Sequence, residues 1–403
     1  MTLEQMNWAL GTLSAYRPLL DTEVAGCLRR MLGALTAADG AAAAEAYAAL
    51  FHALRAGGCQ GLGEWFHRAL VDDASPYAEL AERGGSDPAL EAAARREIAL
   101  FRALAELDCG ALKDAVKKAA PAGFAPVAEG LPQWEAGCPF TFEDLTEFYR
   151  THGAGAFARC RAFLWERDRL LPVPCPDCPG PEEMLGYELQ RDQVEANTRA
   201  LLEGRAVNNV LLYGDAGTGK SSTVKAICNE FAAEGLRLVE VKKNQLYQIP
   251  DLMDKLAANP LKFILFIDDL SFTANDDNFA ALKAILEGSV GGRARNIAVY
   301  ATSNRRHLIK ETLSDRTGDD IHEADTRQEL MSLSARFGLT VTFQRPEKAR
   351  FEVILTELAK QHGIEMPHDE LLTKAEAFAI RAGGRSPRVA KQFIEQCAAG
   401  VQK

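Results

Sequence analysis

The stretch Val210-Leu-Leu-Tyr-Gly-Asp-Ala-Gly-Thr-Gly-Lys-Ser221 decides how the rest of the sequence is interpreted. Its first four residues are an apolar run typical of a buried strand, and the remainder matches the pattern G-x-x-x-x-G-K-[ST]. Three spaced glycines allow backbone conformations that other residues avoid, so successive N–H groups can face a polyphosphate. The sequence therefore predicts a phosphate-binding loop between a strand and a helix that begins near Ser221.

This pattern assigns chemical roles to the polar residues of the loop. Lys220 supplies a positive charge to the β- and γ-phosphates of a nucleoside triphosphate, and the Ser221 hydroxyl can coordinate Mg²⁺. The helix that starts here adds the positive end of its dipole. ATP and Mg²⁺ are therefore the predicted cofactors. The residues expected to bind the nucleotide in this loop are Gly214, Asp215, Ala216, Gly217, Thr218, Gly219, Lys220, Ser221 and Ser222.

A second apolar strand ends in two carboxylates. Residues 263–267 precede Asp268 and Asp269, about fifty residues beyond the loop, which is a natural spacing for the magnesium-binding Walker B strand of a P-loop protein. We expect Asp268 to hold Mg²⁺, directly or through water, together with Ser221. Asp269 lies where a general base could orient or deprotonate the attacking water.

Composition and charge are those of an ordinary globular protein with more than one domain. The 403 residues exceed what one compact core usually holds, so two or three domains are expected. A formal net charge of −10 disfavours a broad nucleic-acid surface, while a local basic patch stays open. The sequence has no apolar run long enough to cross a bilayer and no secretory signal, and its nine cysteines are mostly isolated. We therefore expect a cytoplasmic protein without a membrane partner.

Changes in composition divide the sequence into four parts. Residues 1–170 are rich in Ala, Leu and Glu at helical spacing and predict an all-α N-terminal accessory domain. Residues 171–182 form a Pro-rich linker. Residues 183–345 alternate strand-like and helical stretches, which predicts an α/β core with a parallel sheet covered on both faces. Residues 346–403 predict a helical lid subdomain.

The predicted elements have definite bounds. Helices of the N-terminal domain are expected at Ala41–Arg55, Asp87–Leu107 and Phe142–Arg169. After a helix at Glu188–Glu203, the core strands are expected at Asn209–Tyr213, Leu236–Val241, Phe263–Ile267, Ile297–Thr302 and Leu339–Phe343. The lid helices are expected at Glu347–His362, Asp369–Ala382 and Pro387–Cys397.

Together the loop and the acidic strand resemble the corresponding motifs of the AAA+ ATPases, and the resemblance extends from Gly186 to the C-terminus. It implies a P-loop core with a helical C-terminal lid. The run Ile297-Ala-Val-Tyr-Ala-Thr-Ser-Asn304 resembles the sensor 1 strand of that superfamily, and Gly383-Gly-Arg-Ser-Pro-Arg388 resembles sensor 2. Arg385 competes for the sensor 2 role, and Arg388 is favoured because it lies on the predicted lid helix.

Two further stretches carry the same resemblance. Leu333-Ser-Ala-Arg336 resembles the segment with the arginine finger, a cation given across a subunit interface. Leu185-Gly-Tyr-Glu188 resembles the segment that contacts adenine, which implies nucleotide contacts by Gly186 and Tyr187. A finger in Arg336 requires a homo-oligomer in the ATP state, because one chain then cannot complete its own site. The resemblance implies catalytic roles for Asp269, Asn304, Arg336 and Arg388.

Within the superfamily, the runs Asn209-Val-Leu-Leu-Tyr-Gly214 and Ala301-Thr-Ser-Asn-Arg-Arg-His-Leu308 are similar to those of a bacterial AAA+ group known as a domain of unknown function. That similarity implies a fold and an ATP site but no client. One departure concerns Asp269, because AAA+ members with fast turnover usually carry Glu there. The shorter side chain draws the carboxylate back by about 1 Å or more, so slow hydrolysis or a switch-like cycle is expected.

Weaker signals leave alternatives open. Cys175 and Cys178 have the spacing of half a zinc site, and the sequence offers no second pair with matching spacing. Residues 242–247 follow the second core strand, where AAA+ machines place pore loops. The basic residues within 293–295 and 305–307 could meet nucleic-acid phosphates, but such pairs more often belong to solvated loops or subunit contacts.

Three functional hypotheses follow. The first is an ATPase that uses slow hydrolysis to drive nucleotide-dependent assembly, and that remodels or recruits a protein client through its helical N-terminal domain. The second is a nucleic-acid-associated loader or helicase-type ATPase, and the third is a nucleotide-binding switch with negligible catalysis. The first is favoured because the acidic net charge disfavours the second. It is also favoured because a full catalytic set is present in Lys220, Asp268, Asn304 and Arg336.

Overall fold

The structure is a computed structural model that describes residues 1–121, 123–174, 176, 180, 184–270, 281–283, 285–286, 294–304 and 336–401. The chain divides into two compact units, Met1–Arg159 and Cys160–Lys403. Each unit buries hydrophobic cores of its own. In the part of the chain that is described, no helix combines the length and the apolarity that a membrane crossing needs.

The regular secondary structure in the described part of the first unit is helical, as the sequence predicts. Side-chain caps start several of the helices: Thr2, Thr22 and Asp39 each accept a hydrogen bond from a backbone N–H of the first turn. Tyr16 packs edge-on against Phe101 within the core. The α-helices of this unit, α1 to α10, are Leu3–Gly11, Glu23–Thr36, Gly40–Ala56, Leu62–Val71, Pro76–Glu82, Pro88–Ala105, Cys109–Ala119, Ala125–Glu129, Phe142–His152 and Ala156–Arg159.

The second unit is built on one twisted layer of strands. The strands β1 to β7 are Ala162–Glu166, Arg169–Val173, Val210–Gly214, Leu236–Glu240, Lys262–Ile267, Ile297–Ser303 and Leu339–Phe343. Their order in the sheet is β2-β1-β4-β5-β6-β3-β7. Only β2 runs antiparallel to its neighbour among these described strands. The central strands β5 and β6 are almost wholly buried, as a parallel sheet covered on both faces requires.

Helices complete the second unit. The core helices α11 to α13 are Glu188–Leu202, Lys220–Glu230 and Ile249–Ala257, and the lid helices α14 to α16 are Lys348–Gln361, His368–Arg381 and Pro387–Ala398. The lid has its own apolar core, which includes Phe351, Leu355 and Phe393. The Ser386 hydroxyl accepts from the Val389 N–H and caps α16. The α/β P-loop core with a helical lid that the sequence predicts is therefore present.

One predicted helix is wrong in its second half. The sequence favours a helix over Phe142–Arg169, whereas α9 ends at His152 and residues 162–173 form the β1–β2 hairpin. Gly153 and Gly155 have φ values of 83° and 56°, which only glycine adopts readily and which break the helix. Beyond this break, the residues of β1 pair with β4 and so extend the sheet.

The hairpin also shifts the boundary between the units. Arg167 and Asp168 take φ values of 51° and 59°, as a tight two-residue hairpin turn requires. The sequence places Pro172 in the linker, whereas the structure places it in β2. Proline has no N–H to donate to a neighbouring strand, and β2 tolerates it because β2 is the edge strand of the sheet. The units divide between Arg159 and Cys160, whereas the sequence places the end of the helical domain at residue 170.

Candidate functional site

A glycine-rich turn joins β3 to α12. Gly214, Gly217 and Gly219 have φ values of 135°, 76° and 92°, which L side chains rarely adopt. A Cβ atom at residue 214 would lie 2.0 Å from the carbonyl oxygen of Phe343, so the loop packs on the end of β7 at a position that only glycine fills. This loop leads directly into a helix N-terminus at Lys220, and such a turn is suited to bind an anion.

Lys220 is buried, with 6% of its surface exposed. Its Nζ donates to the carbonyl oxygens of Gly214 at 3.0 Å and Asp215 at 2.7 Å, and to Oδ1 of Asn304 at 3.0 Å. Burial lowers the pKa of Lys220, and three neighbouring carboxylates oppose this shift. The ammonium is therefore held inside the site by three oxygen acceptors, in whose place phosphate oxygens could accept its hydrogen bonds.

Asp268 is the meeting point of three donors beyond the end of β5. Its Oδ1 accepts from the Ser221 hydroxyl at 2.6 Å, from the Thr302 hydroxyl at 2.5 Å and from the Asp269 N–H at 3.1 Å. The strand register explains this meeting, because Ile267 pairs with Ala301 and Asp268 then lies beside Thr302. A carboxylate and a hydroxyl in contact form an oxygen donor pair of the kind that Mg²⁺ accepts.

Asp269 has a φ of 49°, one of the few left-handed residues other than glycine among those described. Its N–H donates to the Thr302 hydroxyl at 2.9 Å, and the next N–H, of Leu270, donates to the Thr302 carbonyl oxygen at 2.7 Å. The Asn304 Nδ2 donates to Asp269 Oδ1 at 2.8 Å. Thr302 and Asn304 together therefore fix the backbone turn and the carboxylate of Asp269.

A cavity of about 450 Å³ adjoins these groups. Its size lies within the range of small-molecule sites, roughly 300–1,000 Å³. Polar lining is provided by Thr218, Lys220, Ser221, Asp268, Asp269 and Asn304. Apolar lining is provided by Met184, Leu185, Tyr187, Ile354 and Leu358. One cavity thus has groups that could bind phosphate, groups that could bind Mg²⁺ and apolar side chains that could contact a nucleobase. The residues present therefore fit a nucleoside triphosphate with Mg²⁺.

The lid brings two cations to this cavity. Arg388 and Lys391, on the same face of α16, both line it. The Arg388 N–H also donates to the Gly217 carbonyl oxygen at 3.2 Å. Arg385 is held elsewhere, because its Nε donates to Glu376 Oε1 at 2.7 Å. Of the two arginines that the sequence offers for the sensor 2 role, Arg388 is therefore the one that lines the cavity.

Three residues expected to bind the nucleotide are not among those that line this cavity: Gly186, Gly214 and Asp215. Arg336, expected to act at the site of a neighbouring subunit, is not among them either. Gly214 faces β7. The Asp215 carboxylate accepts from the Arg345 N–H at 2.9 Å instead of facing the cavity. Arg336 lies just before β7. Gly186 packs against the lid, where an added Cβ would lie 2.7 Å from Ile354.

Tyr187 lies at the cavity and is buried. The ring stacks on Phe343 with 5.2 Å between centroids, and the hydroxyl donates to the Gln344 carbonyl oxygen at 2.6 Å. Burial raises the pKa of Tyr187 to about 12. The Tyr187 ring therefore helps form the apolar end of the cavity, while its hydroxyl is bonded to the backbone.

Thr302 and Lys391 are site residues that sequence reasoning missed. The sequence did contain a signal for Thr302, because it lies two residues before Asn304, and side chains two residues apart in an extended chain lie on the same side. The sequence contained a signal for Lys391 as well, because it follows Arg388 by about one helical turn and so lies on the same face of the helix.

Several sequence signals lie outside the described residues. They are Cys175, Cys178, Arg293 and residues 305–307. Within the described ranges, no three His, Cys, Asp or Glu side chains gather to hold a metal ion.

Comparisons with known proteins bear on the family and the fold. Residues 158–401 match the family described as protein of unknown function, DUF815. Among solved structures, the Holliday junction branch migration motor RuvB of Thermotoga maritima matches at 16% identity and a TM-score of 0.37. That match covers 54% of this chain and 63% of the RuvB chain, which is less than two thirds of its length. Two single-residue variants of the same protein match with TM-scores of 0.36 and 0.35.

Similarity to RuvB at these scores bears on neither activity nor partner. The family match, in contrast, covers more than half of the chain. The glycine-rich loop, the acidic end of β5 and the position of β3 between β6 and β7 agree with the P-loop core that the sequence predicts. The chain therefore belongs to the DUF815 family, and its second unit has the P-loop α/β core with a helical lid that the sequence predicts.

Proposed function

We propose that this protein binds ATP with Mg²⁺ in the cavity beside Lys220 and hydrolyses it slowly. In this proposal, the nucleotide cycle drives assembly of the chain into a homo-oligomer, which remodels or recruits a protein partner. The observation that carries the proposal is the position of Asn304, whose amide contacts both the Lys220 ammonium and the Asp269 carboxylate. One polar side chain thereby contacts both the cation proposed to bind phosphate and the carboxylate proposed as the general base, so the two groups of the proposed hydrolysis are held beside the same cavity.

The chain's own groups divide the work of binding. The N–H groups of the loop and Lys220 hold the phosphates, and the apolar residues beside Tyr187 accept the base. Ser221 and Asp268, whose side chains already meet at 2.6 Å, would hold Mg²⁺. When bound, the metal ion neutralises charge on the β- and γ-phosphates.

The hydrolytic step rests on Asp269. Its carboxylate orients or deprotonates the attacking water, and Asn304 keeps it aimed into the site. Because Asp is one methylene shorter than Glu, the carboxylate stands back from the reacting atoms, and a displacement of about 1 Å costs on the order of a hundredfold in rate. We therefore expect turnover well below that of fast motors, which reach on the order of 10 s⁻¹ or more.

Arginines complete the proposed cycle. Arg388 supplies a lid cation within the cavity of its own chain. Arg336 is outside the described lining of that cavity, which is compatible with a role at the site of a neighbouring subunit. The proposal therefore includes a homo-oligomer in the ATP state, and the helical first unit is proposed to contact the client. The net charge of −10 favours a protein client over nucleic acid.

Two measurements on the full chain test this function. Steady-state ATP hydrolysis is compared for the wild type, Asp269→Asn and Arg336→Ala, and we expect both variants to lose roughly a hundredfold or more in turnover. Particle mass of Asp269→Asn is then measured with ATP·Mg²⁺ and with ADP, and we expect a larger assembly with ATP. Turnover that neither substitution lowers would contradict the roles proposed, and equal mass in both nucleotides would contradict the assembly.

The nucleic-acid alternative is tested separately. Binding of single-stranded and duplex DNA is measured across a series of salt concentrations. We expect only a weak background that salt removes, because the chain is acidic overall. Tight binding that persists at physiological salt would replace the protein client by nucleic acid.

A further inference from the structure

Arg345 lies where the sheet meets the lid, two residues after β7. Its backbone N–H donates to Asp215 Oδ2 at 2.9 Å, and its Nε lies 3.7 Å from Asp215 Oδ1. Its Nη1 donates to the Gly383 carbonyl oxygen at 2.8 Å, in the turn that precedes α16. One residue therefore contacts the phosphate-binding loop and the lid at the same time.

The lid turn is shaped to admit this guanidinium. Gly384 has a φ of 126°, and a Cβ atom there would lie 2.5 Å from Arg345 Nη1. Any residue other than glycine would push the guanidinium away from the Gly383 carbonyl oxygen. The Arg345 and Asp215 side chains are 53% and 45% exposed, so the contact depends on the shape of the lid turn and on the backbone hydrogen bonds more than on the attraction of the two charges.

On the loop side, Asp215 is tied to the phosphate-binding lysine. Its carbonyl oxygen accepts from Lys220 Nζ at 2.7 Å, and its N–H donates to the Phe343 carbonyl oxygen at 2.9 Å. A phosphate that draws the lysine ammonium toward itself withdraws a hydrogen bond from the Asp215 backbone. The position of Asp215 is therefore sensitive to whether the site holds a nucleotide.

On the lid side, the turn at Gly383 leads directly into α16. That helix carries Arg388, which lines the cavity, and its Arg388 N–H donates to the Gly217 carbonyl oxygen at 3.2 Å. A continuous set of contacts thus runs from Lys220 through Asp215 and Arg345 to the helix that bears the lid cation.

We propose that Arg345 is a positioning residue that couples the phosphate-binding loop to the lid through the contact set Asp215–Arg345–Gly383. This inference rests on the proposed function, since it assigns a means by which occupancy of the same site sets the position of Arg388. Asp215, which the sequence places among the nucleotide contacts, acts here through Arg345. The guanidinium is required because its charge extends over separate nitrogens: Nη1 donates to the Gly383 carbonyl oxygen while Nε stays 3.7 Å from the Asp215 carboxylate, an arrangement that the single nitrogen of an ammonium does not provide.

Hydrogen–deuterium exchange of residues 383–390 in the full chain tests this coupling. The probe is a non-hydrolysable ATP analogue with Mg²⁺. In the wild type we expect the analogue to slow exchange in this segment by about fivefold or more. In Arg345→Met we expect the analogue still to bind, within about threefold of the wild-type affinity, but to change exchange by less than about twofold. Arg381→Met, an exposed arginine of α15, is the matched control and should behave as the wild type.

A double substitution separates coupling from a local structural effect. If Arg345 acts by positioning Arg388, Arg345→Met lowers ATP turnover when Arg388 is present. It then causes no further loss of turnover in a protein that already carries Arg388→Ala. Equal losses in both backgrounds would overturn the inference, as would a full exchange response to the analogue in Arg345→Met. Absence of analogue binding by the wild type would instead contradict the proposed function, and the inference would fall with it.

Discussion

The Asn304 side-chain amide donates a hydrogen bond to Asp269, with 2.8 Å between Nδ2 and Oδ1. Because its Oδ1 accepts from Lys220 at 3.0 Å, the orientation of this amide is fixed from both ends. The sensor-like residue therefore aims the carboxylate that we assign as the general base. Its effect should appear in the chemical step more than in nucleotide binding.

Asn304→Ala tests this assignment. We expect turnover to fall by about a hundredfold, because an unaimed carboxylate leaves near-attack geometry, while nucleotide affinity changes by less than about threefold. Steady-state hydrolysis and calorimetric titration with ATP·Mg²⁺ provide the two numbers. Asn244→Ala, at an exposed position, is the control and should leave both unchanged. A variant that loses affinity and turnover to the same extent would mean that Asn304 acts in binding.

Thr302 is expected to act on both acidic residues at once. Its hydroxyl donates to Asp268 and accepts from the Asp269 N–H, so Thr302→Val removes both contacts at nearly constant volume. We expect about a tenfold loss of turnover and a higher Mg²⁺ concentration at half-maximal rate. Thr302→Ser should restore both, since it keeps the hydroxyl. A Mg²⁺ dependence identical in Thr302→Val and the wild type would show that the hydroxyl does not organise the metal site.

Gly214 is expected to tolerate no side chain. Gly214→Ala would bring a Cβ to 2.0 Å from the Phe343 carbonyl oxygen at a φ of 135°, whereas Gly204→Ala meets nothing within 4 Å at a φ of 71°. We expect the first change to destabilise the unit by roughly 3 kcal/mol or more and the second by about 1 kcal/mol. Urea unfolding of both variants measures the difference. Similar losses would show that the loop relaxes around an added methyl group.

Alkaline pH should weaken the second unit through Tyr300. Burial raises the pKa of Tyr300 to about 12, although its hydroxyl has hydrogen bonds with Thr198 and Asn197. Since the unfolded tyrosine ionises near its ordinary pKa of about 10, this stability is complete below pH 10 and is lost as the pH rises toward 12.

The size of this effect is set by the separation of the two pKa values. Between pH 9 and pH 11 the wild type should lose about 1.4 kcal/mol more unfolding free energy than Tyr300→Phe, as measured by urea unfolding. Equal losses in the two proteins would show that Tyr300 ionises alike in the folded and unfolded chain.

The parallel strands and lid helices agree closely with the sequence prediction, for a physical reason. Buried parallel strands are continuous apolar runs, so Phe263–Ile267 is recognisable without any knowledge of its neighbours. The β1–β2 hairpin was missed because its identity as a strand depends on pairing with β4. The local sequence pattern predicts a helix over the residues of β1. The edge strand β2 was not recognised because its end lies in the Pro-rich stretch.

The parts of the candidate site that consist of neighbouring residues in the sequence could be predicted, whereas the parts formed by tertiary contacts could not. The phosphate-binding loop and the acidic pair are contiguous motifs, and their side chains do meet around one cavity. Thr302 reaches Asp268 only because Ile267 pairs with Ala301, a register that composition does not encode. Asp215 turns to Arg345, which is 130 positions away in the sequence. Tertiary contacts of this kind decide which member of a motif faces the ligand.

The proposed function depends on binding of a nucleoside triphosphate by the loop before Ser221 and by the buried Lys220. Calorimetric titration of the full chain with ATP·Mg²⁺, beside Lys220→Met, measures this most directly. We expect saturable binding at one site per chain in the wild type, and a loss of roughly thirtyfold or more in affinity in Lys220→Met. A wild-type chain that is folded and takes up no purine nucleotide, or a variant that binds as tightly as the wild type, would contradict it.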